Sequence, residues 1–128
     1  MSSVVNHIEY SLHPDVSAMT VGRDSALPFP VLQMHQVHDV HVAIIDNPDI
    51  TSEQLDGYDA MITNLRGLAI GVRTADCIPI LLYDPVNKAA AAVHSGWRGT
   101  VAKILRNVIG KMSSTYGTEP AELLAVIG

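Results

Sequence analysis

From Val31 onward, apolar and polar positions along the chain follow well-marked periods. Val40, Val42 and Ile44 alternate with His41, Ala43 and Ile45, the period of two expected of a strand. Asn47-Pro48-Asp49 interrupts it, and Thr51 followed by Gln54 has the spacing of a capping box for a short helix ending near Asp56-Gly57. Three short, nearly continuous apolar runs come next: Ala60 to Thr63, Leu68 to Arg73 and Ile78 to Tyr83, separated by Gly67 and by Thr74-Ala75-Asp76. Runs of this kind predict strands buried on both faces. Asp84-Pro85-Val86-Asn87-Lys88 predicts a turn, because proline presets one backbone angle and Asp and Asn favour local side-chain bonds. Ala89 to His94 follows as a strand of small residues against which another layer can pack closely.

The strongest periodicity belongs to Val101, Ile104, Leu105, Val108, Ile109 and Met112, which fall on one helical face, with Lys103, Arg106, Asn107 and Lys111 opposite. Thr100 is the expected N-cap, and Gly117 ends the pattern. Pro120 to Leu123 suits one further turn, and Leu124-Ala125-Val126-Ile127-Gly128 suits a strand. Residues 1 to 30, punctuated by Pro14, Pro28 and Pro30, predict a short strand or two joined by loops. These elements amount to a single domain over residues 1–128. An apolar strand at the last residue predicts that the natural protein continues.

Composition narrows the class. The 128 residues include 48% hydrophobic and 16% charged side chains, which suits a packed core and not a disordered tail. With 8 Lys+Arg against 13 Asp+Glu the net charge is −5, and no basic stripe invites nucleic acid. No stretch approaches the roughly 20 apolar residues that span a bilayer. Met1-Ser2-Ser3-Val4-Val5-Asn6-His7 does not read as a secretory signal. The single cysteine, Cys77, cannot close an internal disulfide, so a cytoplasmic location is expected.

Three features could carry chemistry. His35, His38 and His41 crowd one segment; on a strand His35 and His41 would share a face, with His38 on the other. Cys77 enters one predicted strand and His94 ends the next. If those strands form an antiparallel hairpin through Asp84 to Lys88, the two residues meet at one sheet edge. A histidine from the 35–41 segment would complete a His/Cys/His set of the kind zinc accepts in a catalytic site. The third feature is Ser95-Gly96-Trp97-Arg98-Gly99, just ahead of the predicted helix. Arg98 and free N–H groups at a helix start make an anion site. The same residues also allow a bland reading, in which Cys77 is an inert core thiol, Arg98 is solvated and Trp97 plugs the core.

Taken together, Gln36-Val37-His38, Thr74-Ala75-Asp76-Cys77-Ile78-Pro79 and Ala92-Val93-His94-Ser95-Gly96-Trp97-Arg98-Gly99 resemble the laccase-domain proteins. These were once labelled multicopper polyphenol oxidoreductases and are now understood as purine nucleoside phosphorylases. Asp59-Ala60-Met61-Ile62-Thr63 and Leu81-Leu82-Tyr83-Asp84-Pro85 are also typical of that family. The resemblance covers Val31 to Gly128. It implies an α/β fold, a mixed β-sheet sandwich flanked by helices, and a zinc ion (Zn2+) held by His38, Cys77 and His94. It further implies phosphate-dependent cleavage of adenosine, inosine, guanosine or methylthioadenosine, and deamination of adenosine. One thiolate and a few histidines do not suffice for a multicopper cluster. Where the family usually shows Ser-Thr-Arg, this chain reads Met19-Thr20-Val21-Gly22-Arg23-Asp24, so that arginine is either displaced to Arg23 or missing.

On that basis zinc, Arg98 and the helix start would act on phosphate and the sugar–base linkage, with Asp76 orienting a ligand or hydroxyl from behind. The partners expected are a purine nucleoside and phosphate, with neither nucleic acid nor membrane; a homodimer is compatible with this reading. Two rival readings remain open at this level. One is a cysteine hydrolase in which His94 activates Cys77; the other is a non-catalytic zinc-binding domain.

Overall fold

The structure, a computed structural model, describes residues 7–21, 31–33, 41–55, 58–72, 78–95 and 98–127. Nine strands and one α-helix occur among them. Strands β1 (His7–His13) and β2 (Val16–Val21) form an antiparallel hairpin, and β3 (Leu32–Gln33) pairs in parallel with β6 (Ile70–Gly71). The remaining strands, β4 (Val42–Ile45), β5 (Ala60–Thr63), β7 (Ile78–Asp84), β8 (Ala89–Ser95) and β9 (Leu124–Ile127), build one sheet in the order β4-β5-β8-β7-β9. Only β4 and β5 are parallel; every other pair in that sheet is antiparallel, so the sheet is mixed.

The pairing register sorts side chains into two faces. Ala60, Ile62, Ile80, Leu82, Ala89, Ala91 and Val93 share one face and meet Ile104, Val108 and Met112 of helix α1 (Arg98–Tyr116) in a buried core. Alternation of small and branched residues lets the helix sit close to β8, and each buried Ile, Val or Met stabilises by about 1.5–3 kcal/mol. On the other face Ala43, Ile45 and Met61 pack with Leu32 and Leu55, flanked by Tyr58, Leu65, Leu68, Ile70 and Val72. Further across, the His13 and Tyr83 rings lie 5.4 Å apart, so the β1–β2 hairpin touches the sheet beside β7. The α/β class with a mixed sheet is therefore as expected. Among the described residues one α-helix covers one face, and short strands and loops cover the other.

Local chemistry explains where elements start and stop. Gln54 accepts the Thr51 backbone N–H at 2.9 Å, and the turn it closes is a 3-10 helix over Ser52–Leu55. Gly117 takes φ +76, a conformation costly for any residue with a Cβ, and returns its N–H to Ser113 at 3.0 Å to end α1. The helix begins at Arg98, two residues before the expected cap Thr100, because β8 feeds almost directly into it. Of the predicted strand from Leu68 to Arg73, residues 68–72 are described, and they lie outside the five-stranded sheet. Only Ile70–Gly71 pair, with β3, while Leu68 and Val72 pack into the second core.

The β7–β8 hairpin closes through a turn organised by Asp84. This carboxylate is fully buried and accepts the N–H groups of Val86 (2.9 Å) and Asn87 (3.1 Å), the Asn87 amide (2.8 Å) and the Thr118 hydroxyl (2.6 Å). Burial pushes its pKa up, but the four hydrogen bonds outweigh that effect and hold the carboxyl below its ordinary value. One side chain thus ties the hairpin turn to the chain beyond α1.

Candidate functional site

The opposite end of the same hairpin holds His94 and, across the pairing with β5, Asp59. Val42, Ala60, Val93 and Ile80 form one row across four strands. Because β4, β5 and β7 begin at this end and β8 finishes there, the segments leading into three strands and out of a fourth share it. Helix α1 also starts from here, three residues after β8 ends. Backbone bonds stitch the row one step further: His94 N–H donates to Asp59 at 2.9 Å, and Asp59 N–H donates to His41 at 3.0 Å.

His94 lies on the face opposite α1, in line with Ala92, and is 3% exposed. Its Nδ1 is 3.6 Å from Oδ1 of Asp59, which is 0% exposed. A buried imidazole beside a buried carboxylate is expensive to assemble and is kept where the pair has work to do. Pro79 is the residue opposite His94 in β7.

The predicted hairpin is present, with Ile78 paired to Ser95 and Pro79 to His94. Cys77 itself lies outside the described residues, as do His38, His35, Asp76 and Arg23. Ile78, the residue that follows Cys77 in sequence, is the first of β7 and lies at the His94 end. His41 is exposed and engages through its backbone carbonyl, and Arg98 is the first residue of α1. Among the described residues no group of three His, Cys, Asp or Glu side chains could hold a metal ion. The signal for Asp59 in the sequence is its place in Asp59-Ala60-Met61-Ile62-Thr63, a run typical of the family that the chain resembles; nothing along the chain pairs it with His94.

The family described as multi-copper polyphenol oxidoreductase laccase matches residues 18–128. The chain belongs to this family. A purine nucleoside phosphorylase of Streptomyces coelicolor is 39% identical over 120 residues, covering 89% of this chain and 49% of that protein. An adenosine deaminase from an unknown prokaryotic organism is 45% identical over 83 residues, covering 60% of this chain and 32% of that protein. The chain therefore spans a third to a half of the length of these relatives. The crystal structure of a Neisseria meningitidis protein shares the fold, with a TM-score of 0.74 at 22% identity, over 96% of this chain and 62% of that one. Membership in this family accounts for the mixed sheet, and its relatives are named as enzymes of purine nucleoside chemistry. No described helix is long and apolar enough to cross a membrane.

The residues suit a borderline metal such as zinc. His94 is buried with a carboxylate beside Nδ1, the setting in which an imidazole offers its other nitrogen to a cation. One thiolate and two imidazoles are donors that zinc accepts, with a coordination position left over.

Proposed function

We propose that this protein is a zinc-dependent purine nucleoside phosphorylase. Its substrates would be adenosine, inosine, guanosine or methylthioadenosine together with phosphate, and deamination of adenosine would be a second activity. In this reading His38, Cys77 and His94 hold the metal. When bound, zinc supplies a Lewis acid with one coordination position open.

The chain's own residues do the remainder. Arg98 and the free N–H groups of the first turn of α1, which carries no acidic residue, hold the charge of the phosphate. Asp76, next to Cys77, orients a ligand or a hydroxyl group. In phosphorolysis a phosphate oxygen forms the new bond to the anomeric carbon of the sugar. The bond from that carbon to the purine nitrogen breaks, and the departing base takes up a proton. In deamination water adds to the purine ring and ammonia leaves.

The observation that supports this reading most is the burial of His94 beside Asp59 at the end of the sheet where β4, β5 and β7 all begin. The names of the relatives agree with it. The test is incubation of the purified protein with adenosine and inosine, with and without phosphate, while bound metal is measured. The expected products are free base and ribose phosphate, formed only with phosphate, and hypoxanthine or inosine from adenosine if deamination accompanies it. A Cys77→Ala protein that keeps both zinc and full phosphorolysis overturns the reading. Activity that resists chelators but is abolished by thiol alkylation would assign Cys77 as a nucleophile instead.

A further inference from the structure

The Asp59–His94 contact carries a more specific assignment, which rests on the metal reading above. We propose that Asp59 is a positioning residue: it holds the Nδ1 side of the His94 imidazole and so presents Nε2 to the metal.

A neutral imidazole has one N–H and one lone pair, and its surroundings choose which nitrogen carries which. A carboxylate beside Nδ1 favours the N–H there and leaves the lone pair on Nε2. At 3.6 Å the Nδ1–Oδ1 separation is slightly longer than a hydrogen bond, so a shift of a few tenths of an ångström closes it. Catalytic hydrogen bonds commonly tighten in this way when a site is occupied.

The backbone fixes the two residues against each other independently of their side chains. His94 N–H donates to the Asp59 carbonyl at 2.9 Å, and Asp59 N–H donates to the His41 carbonyl at 3.0 Å. Asp59 is therefore clamped between the strand that carries His94 and the residue that leads into β4. Complete burial of its carboxylate keeps water from competing for the imidazole. The contact on the imidazole comes from Asp59, and Asp76 lies outside the described residues.

The experiment measures zinc affinity of the full chain by chelator competition, together with the visible absorption spectrum of the cobalt(II)-loaded protein. Four variants are compared: Asp59→Asn, Asp59→Ala, His94→Ala and Cys77→Ala. The expected result is a roughly 10–100-fold loss of zinc affinity in Asp59→Ala and a smaller loss in Asp59→Asn. Both variants should also shift the cobalt spectrum, which reports the geometry of the ligands and not the stability of the fold. Asp59→Asn keeps the shape of the side chain, so it decides the matter if Asp59→Ala does not fold. Parental zinc affinity and an unchanged spectrum in Asp59→Asn, with binding lost in His94→Ala, overturn the assignment and leave the metal reading intact. Parental zinc affinity in both His94→Ala and Cys77→Ala overturns the metal reading, and the assignment falls with it.

Discussion

The two ends of the β7–β8 hairpin each bury an aspartate, and the two carboxylates are treated differently. Asp84, at the turn, accepts four hydrogen bonds from Val86, Asn87 and Thr118. Asp59, at the other end, faces the His94 imidazole across 3.6 Å. Both residues are 0% exposed, so burial alone does not tell them apart. What differs is the partner. A carboxylate surrounded by fixed donors of its own turn is a structural staple, whereas one set against an imidazole adjusts the properties of another reactive group. The turn end is also local, since three of the four bonds come from residues two or three positions away. The His94 end instead joins segments from across the chain.

That contrast predicts opposite outcomes for substitutions at the two ends. Replacing His94 by Ala should lower zinc retention and nucleoside turnover by about 100-fold or more, measured by metal analysis and phosphorolysis rates. Equal loss from a substitution at Asp84, per folded molecule, would erase the distinction. Asp84→Ala should act on folding. Leaving Thr118 and the turn N–H groups without their acceptor should cost about 3 kcal/mol, read from denaturant unfolding, with turnover per folded molecule unchanged.

Acid sharpens the same comparison. The folded Asp84 carboxyl lies below its ordinary value of 3.8, so across that window the unfolded chain binds more protons. The stability it contributes is complete above the ordinary value and disappears as pH falls through the lower folded one. Asp84→Asn should flatten this part of the stability–pH curve, which thermal unfolding between roughly pH 2 and 5 would reveal. The smallest effect is expected at Gly117, next to Thr118. Gly117→Ala forces a Cβ onto a residue at φ +76 and should cost about 1 kcal/mol in unfolding free energy, with zinc affinity untouched.

Much of this architecture is legible in the residue pattern, for identifiable reasons. The hairpin from Ile78 to Ser95 follows from two apolar runs bracketing Asp84-Pro85-Val86-Asn87-Lys88, a turn whose chemistry is local. The periodicity over Val101 to Met112 predicts α1 and its buried face, since Ile104, Val108 and Met112 are fully buried. Leu68 to Arg73 misleads for a physical reason. A short apolar run states that the segment is buried, but not whether it pairs within the main sheet or packs beside it. A cap at Thr100 predicts a helix from Val101, and α1 starts three residues earlier, at Arg98, since cap signals fix a helix end only to within a few residues.

The candidate site divides along the same line. The sequence by itself marked out the two strands of the hairpin that ends at His94 and Ser95, and it identified the family through motifs spread from Gln36 to Gly99. Only the tertiary structure decided that Asp59, 35 residues before His94, stands against that imidazole. It also decided that Leu32–Gln33 pair in parallel with Ile70–Gly71. Periodicity and turn chemistry act over a few neighbouring residues, so they can be read along the chain. Which strands lie side by side, and which buried side chains meet across them, is set by long-range packing that no single window of sequence contains.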